Sequence, residues 1–117
     1  MKPGEAIKIR GIIGAGIFDV SGRLITYSSK TLTPEQADST AMLCGTVYNL
    51  IGSIASLYSR FCGLRMDPVR RIDIYSSDFA ISLMCSSRGC AGIIYNVNEI
   101  GKEKVEELLE GMVESIE

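Results

Sequence analysis

The feature that most constrains the fold is a long uncharged run in the middle of the chain. No charged residue occurs from Ser39 to Ser59, and helix signals stand on both sides of this run. The segment Thr33-Pro34-Glu35-Gln36 supplies an N-cap, a first-turn proline and a glutamine suited to a capping box. Gly63 can end the helix in the left-handed conformation. The sequence therefore predicts a helix of nearly thirty residues, about 43 Å long.

The length of the uncharged run raises the question of a membrane span. Eleven of the 21 residues from Ser39 to Ser59 are Ser, Thr, Asn, Tyr or Gly, which are costly in hydrocarbon. We therefore expect no membrane insertion. The opening residues Met1 to Glu5 contain no apolar core of signal-peptide length, so we expect a cytoplasmic protein.

The predicted helix has two unlike faces. Large apolar residues form one face: Leu43, Val47, Leu50, Ile54, Leu57 and Phe61. Small residues form a stripe on the opposite side: Ala41, Gly45, Gly52, Ser56 and Ser59. A helix that lies on a single sheet normally carries charge across its outer face. We therefore expect the large face to cover the sheet and the small stripe to contact the same helix of a second copy. The alternative is that the C-terminal helix of the same chain covers the stripe.

The rest of the chain predicts five strands and a second helix. Strands are expected at 7–18, 23–27, 69–75, 79–85 and 90–97, with the turn Asp19-Val20-Ser21-Gly22 joining the first two. Asn98 can cap a final helix whose apolar stripe runs from Val105 to Ile116. The predicted fold is α+β, a five-stranded antiparallel sheet in the order β-β-α-β-β-β-α. At 117 residues, the whole chain 1–117 is expected to be a single domain.

Composition excludes most catalytic and nucleic-acid-binding functions. The chain has no histidine, which removes serine–histidine and cysteine–histidine pairs and imidazole metal ligands. A net charge of −2 argues against nucleic acid as a partner. The glycines between Gly11 and Gly16 match no nucleotide-binding motif. We expect a protein that is not an enzyme, with no cofactor and no metal.

The four cysteines are expected to be small buried apolar residues. Cys44 and Cys62 share the long helix about 27 Å apart, so one metal ion cannot bridge them. Cys85 and Cys90 flank a four-residue turn and can face each other across a hairpin. A disulfide between them is geometrically allowed, although such bonds are rare in the cytosol.

The phrase from Gly14 to Ile25, Gly-Ala-Gly-Ile-Phe-Asp-Val-Ser-Gly-Arg-Leu-Ile, resembles the opening hairpin of the roadblock / dynein light-chain family. The long helix and three-stranded meander that follow extend this resemblance from Ile9 to Ile116. Many family members have a helix before the first strand, and this chain is expected to have too few residues there for one.

The resemblance implies a non-catalytic homodimer that regulates or scaffolds a Ras-like small GTPase. In such dimers the third strand pairs with its copy, and the long helices pack side by side. The implied interface residues lie on the helix at Ala41, Gly45, Asn49, Gly52 and Ser56, and on the strand at Val69, Arg71, Asp73 and Tyr75.

Two other functions remain open at the level of sequence. One is an adaptor subunit of a dynein-type or membrane-associated complex, which would pair with a different roadblock protein. The other is a small sensing domain that uses the glycine-rich strand with Cys85 and Cys90 as a ligand pocket or redox switch.

Overall fold

The described residues, 1–116 of this computed structural model, form one antiparallel sheet with helices on both faces. The elements are α1 (Pro3–Ala6), β1 (Ile12–Phe18), β2 (Leu24–Ser29), α2 (Pro34–Cys62), β3 (Arg71–Tyr75), β4 (Phe79–Ser86), β5 (Gly89–Asn96) and α3 (Lys102–Glu114). The five strands lie in the order β2-β1-β5-β4-β3. The predicted α+β fold is confirmed.

The long helix begins and ends where its capping residues predict. The amide of Thr33 donates to the side chain of Gln36 at 3.0 Å, and the amide of Gln36 donates to the Thr33 hydroxyl at 3.2 Å. Together they form a capping box. Gly63 ends the helix with φ of 71°, and its amide donates to the carbonyl of Ser59. Both predicted ends are confirmed.

The N-terminal segment departs from the prediction. β1 starts at Ile12 rather than Ile7, and residues Pro3 to Ala6 form one helical turn where none was expected. Proline suits the start of a helix, and Ala6 is fully buried in the core below the sheet. A turn this short is not stable alone, so its packing on the sheet holds it. At the other end, α3 is capped by Gly101 and not by Asn98.

Two apolar clusters fill the two sides of the sheet. The larger joins α1 and α3 to the sheet and includes Ile93, Tyr95 and Leu109. The smaller joins α2 to the opposite face and contains five buried residues: Phe18, Ala41, Cys44, Leu83 and Cys90. The buried residues of α2 are Ala37, Ala41, Cys44 and Gly45. The long helix is therefore held to the sheet by its first half.

The turn between β1 and β2 is held by one carboxylate. Asp19 Oδ1 accepts hydrogen bonds from the hydroxyl and amide of Ser21 at 2.6 and 3.0 Å, and from the amide of Arg23 at 3.0 Å. The Ser21 hydroxyl, followed by the Arg23 amide, lowers the pKa of Asp19 because these donors favour the charged form. Gly22 completes the turn with φ of 91°.

This turn is where α2 docks. A Cβ atom placed on Gly45 would lie 2.5 Å from the Cα of Gly22, closer than real Cβ contacts occur. One turn further along the helix, the Asn49 side-chain amide donates to the carbonyl of Val20 at 2.8 Å. Two glycines thus allow backbone to meet backbone, and this contact sets which face of α2 is turned to the sheet.

We predict that Gly45→Ala lowers the free energy of unfolding by about 1–3 kcal/mol, because its methyl group pushes α2 away from the turn. The matched control is Gly52→Ala on the same helix, where an added Cβ has no atom within 4 Å. That variant should gain about 0.5–1 kcal/mol from helix propensity. Urea unfolding of the two proteins checks the pair, and equal effects would contradict the docking contact.

Candidate functional site

The most prominent surface feature is an uncovered apolar face on α2. Phe61 is 86% exposed, Leu50 59% and Ile54 52%. The remaining large residues of this surface are also exposed: Leu43, Leu57 and Tyr58 on the helix, with Leu64 and Met66 just beyond it. A contiguous apolar surface of this kind marks an interaction site. We call the helical part, Leu43, Leu50, Ile54, Leu57 and Phe61, the apolar face.

The predicted orientation of α2 is wrong. The large face from Leu43 to Phe61 was expected to cover the sheet, yet five of its six residues are exposed and the sixth, Val47, is partly exposed. Ala41, by contrast, is 3% exposed and packs in one cluster with Phe18 and Leu83. The physical reason is the approach of Gly45 to Gly22, which only small residues permit. The first half of the small stripe, Ala41 and Gly45, thus serves contacts within the chain.

This orientation changes the predicted helix interface. Ala41 and Gly45 are buried within the protomer, so these two residues are not free to contact a second copy. Asn49 is bonded to the β1–β2 turn but stays exposed. Gly52 and Ser56 are partly exposed beside the segment from Asp67 to Val69. Their role in a dimer stays a prediction.

The predicted strand interface lies at an open edge. β3 is the last strand of the sheet, and within the described residues 1–116 it pairs only with β4. Arg71, Asp73 and Tyr75 belong to this strand, whereas Val69 precedes it. Ile72 packs against the same cluster as Tyr48 of α2. Tyr48 lies on the side of α2 that faces the sheet, so the open edge adjoins that side of the helix, and the apolar face points away from the sheet.

A buried polar network lies behind this edge, and sequence reasoning missed it. Ser82 is fully buried, and its hydroxyl bonds the Tyr95 hydroxyl at 2.9 Å and donates to the Asp73 carboxylate. Burial raises the pKa of Tyr95. The available signal was a serine between Ile81 and Leu83, since a hydroxyl inside an apolar strand needs a partner. The network positions Asp73 at the edge.

Two arginines connect the edge strand to α3. The Arg70 guanidinium bonds the carboxylates of Glu106 and Glu110, which raise its pKa. Arg71 Nε donates to Asp73 Oδ1 at 2.9 Å, and its Nη1 donates to the carbonyl of Lys102 at 3.1 Å. These two arginines brace β3 against the terminal helix, Arg70 from an exposed position and Arg71 from a largely buried one.

The cysteines differ from the expected four buried thiols. Cys85 and Cys90 face each other across the β4–β5 hairpin and form a disulfide, with 4.0 Å between their Cα atoms. Cys62 is exposed, and only Cys44 is a buried free thiol. Burial raises the pKa of Cys44 to about 11. Cys44 and Cys90 belong to the same cluster under α2.

We predict that the oxidised native protein has one fast-reacting thiol, Cys62. Cys44 is buried and has a pKa of about 11. At pH 8 only about one in a thousand of such thiols is in the reactive thiolate form. Titration with a thiol reagent should therefore give one thiol in the native state, two after denaturation and four after denaturation with reduction. The control Cys62→Ser should have no fast thiol. Four thiols without reduction would contradict the disulfide.

By length and composition, α2 is also able to cross a membrane, with mean hydropathy 1.3 over its most apolar 18 residues and 22% of that window buried. A core helix of a soluble protein passes the same test. Its first half packs on the sheet through Ala41 and Cys44. This packing accounts for the small residues on one side of the helix.

Comparison with known proteins places the chain in a family. The family model described as "Uncharacterized conserved protein (DUF2173)" matches residues 4–110. The chain belongs to this family. No curated protein matches the DUF2173 chain.

Solved structures show that the DUF2173 chain has a roadblock-like fold. The Roadblock/LC7 domain from Streptomyces avermitilis is 18% identical, with 97% of this chain and 88% of that chain covered and a TM-score of 0.78. The gliding protein MglB from Thermus thermophilus is 13% identical, with 97% and 84% covered and a TM-score of 0.75. An MglB structure with a tetrameric arrangement has the same identity and coverage and a TM-score of 0.74. The predicted roadblock resemblance is confirmed for the fold.

Proposed function

We propose that this chain is a non-catalytic cytoplasmic protein that forms a homodimer and regulates or scaffolds a Ras-like small GTPase. The observation that carries the proposal is the apolar face of α2, which is exposed in a protomer whose sheet also ends in an open edge at β3. A second copy would cover these two surfaces.

The dimer has a physical basis in both surfaces. Leaving Phe61, Leu50 and Ile54 in water is unfavourable in proportion to their apolar area. An unpaired strand edge is a template for pairing with another strand. In a two-fold symmetric dimer the same surfaces of both copies meet, so one interface can bury the apolar side chains and also pair the strand edges. MglB, which has a similar fold, has been solved in a tetrameric arrangement.

The GTPase partner is proposed from the roadblock resemblance together with the shared fold. The chain has no histidine, so a stimulating effect on GTP hydrolysis would arise by positioning the GTPase's own groups. The cytoplasmic location is part of the proposal. In a reducing cytosol Cys85 and Cys90 would be thiols.

One observation favours a second candidate, a ligand- or redox-sensing domain. A cavity of about 40 Å³ lies between α2 and the sheet, where Gly14, Gly16 and Gly92 leave room. The disulfide joins Cys85 to Cys90, which also lies on the α2 side of the sheet. A melting temperature that rises with a small apolar ligand, or GTPase binding that changes on thiol reduction, would favour this function.

The predicted dimer should dissociate when charge is placed on the apolar face. Leu50→Glu and Ile54→Glu would each bury an unpaired carboxylate, so we expect the dimer Kd to rise at least about a hundredfold. Both positions are exposed in the protomer, so the variants should keep the wild-type fold. Light scattering after size exclusion measures the mass.

The matched control is Ser53→Glu, which adds the same charge to an exposed polar position of α2. This variant should remain a dimer. An Ile54→Glu protein as dimeric as the wild type would show that the apolar face is not the interface.

The GTPase proposal predicts binding to a purified Ras-like GTPase from the same organism. We expect the dimer to prefer one nucleotide state by about tenfold or more, because a regulator must bind two conformations unequally. Calorimetry with GDP and with a GTP analogue measures both affinities, and single-turnover hydrolysis measures the rate. No binding and an unchanged rate across the organism's Ras-like GTPases would overturn the proposal.

A further inference from the structure

Building on the dimer proposed above, we propose that two copies pair their β3 strands in one register, centred on Ile72. In this register Arg71 of each copy lies directly opposite Asp73 of the other. The partner is a second copy of this chain, and two reciprocal ion pairs between Arg71 and Asp73 determine the register of the two strands.

The first step is to find which backbone groups are free at the edge. The Ser76 amide donates to the carbonyl of Phe79 at 2.8 Å, across the turn that joins β3 to β4. Antiparallel bonds to one neighbour recur at every second residue. The backbones of Ile74 and Ile72 therefore point toward β4, and those of Arg71, Asp73 and Tyr75 point outward to the open edge.

The second step is to enumerate the registers that symmetry allows. In an antiparallel pair, directly opposed residues have their side chains on the same face of the sheet. The two-fold axis therefore passes beside one residue, which faces the same residue of the other copy. A centre at either end of β3, Arg71 or Tyr75, would pair only that one residue of the strand with its copy, so the candidates are Ile72, Asp73 and Ile74. A centre at Asp73 puts two carboxylates side by side, and like charges directly opposed are destabilising. A centre at Ile74 places Asp73 against Tyr75 and leaves Arg71 opposite Ser77.

The third step is that Arg71 and Asp73 carry opposite charges at the open edge. The bonds to Asp73 from Arg71 Nε and from Ser82 both end on Oδ1, which leaves Oδ2 as an acceptor. Arg71 Nη2 is covered within the protomer, so the attraction across the edge acts between the opposed charges. The register centred on Ile72 sets a carboxylate of one copy opposite each guanidinium of the other.

The fourth step is that the central residue suits its position. A self-opposed Ile72 forms a pair without backbone hydrogen bonds, in which the Cα atoms come closest. Its side chain packs on the α2 side of the sheet with Tyr48. Two copies of Ile72 would therefore join the apolar clusters of the two protomers.

Cysteine cross-linking tests the register directly. Ile72→Cys, Asp73→Cys and Ile74→Cys are each made in a Cys62→Ser background, which removes the exposed native thiol. Oxidised glutathione serves as the acceptor of two electrons for each disulfide formed. We expect Ile72→Cys to give a covalent dimer at least about tenfold faster than the other two, because disulfides tolerate only short Cα separations.

The outcomes separate the register from the dimer. Faster cross-linking at Asp73→Cys or Ile74→Cys overturns the register and leaves the dimer standing. A wild-type dimer with no cross-link at any of the three positions places the contact away from β3 and also overturns the register. A monomeric wild type by light scattering overturns the proposed dimer itself.

Charge reversal provides a second test that does not depend on cysteine chemistry. Arg71→Asp alone and Asp73→Arg alone should each raise the dimer Kd at least about tenfold, because each sets like charges opposite one another. Mixed together, the two variants should form a heterodimer, since the carboxylate introduced at position 71 then faces the guanidinium introduced at position 73. Within each protomer the mixture restores no ion pair. A mixture no tighter than either variant alone would show that Arg71 and Asp73 act only inside the protomer.

Discussion

The contact between Gly45 of α2 and Gly22 of the β1–β2 turn determines which surfaces the protein shows. A Cβ on Gly45 would lie 2.5 Å from the Cα of Gly22, so the helix can lie this close to the turn only on its small-residue side. That choice places Ala41 and Cys44 in the core and turns the large apolar side chains outward. The candidate interface is thus a consequence of a contact on the other side of the helix.

The opening hairpin has a structural role that explains its sequence. Asp19 holds the turn by accepting three hydrogen bonds through one oxygen, and Gly22 supplies both the positive φ and the room for α2. The residues that carry the roadblock resemblance are therefore those that seat the long helix. Their chemistry is that of a docking platform within the chain.

Local signals predicted the fold well. The capping box at Thr33 and the left-handed Gly63 fixed the limits of α2, and alternation located the strands of the meander. These features depend on residues close together in the sequence. The one-turn helix at Pro3 was not foreseen, because its stability comes from burial of Ala6 against distant residues.

The site was harder to predict, because its defining contacts join distant segments. The two faces of α2 were recognised, but their assignment depended on whether large or small residues meet the sheet. Helical periodicity alone does not decide this. The hydroxyl network of Ser82, Tyr95 and Asp73 joins three strands, and only the register reveals it. The disulfide likewise required Cys85 and Cys90 to be directly opposed.

The uneven anchoring of α2 has a consequence for the lifetime of the protein in a cell. All four buried residues of the helix lie between Ala37 and Gly45, so the segment beyond them has little burial of its own to resist local opening. In an isolated protomer that segment is the natural entry point for a degradative protease. Unassembled copies would then be removed faster than assembled ones, and the cellular level of the protein would follow that of its complexes.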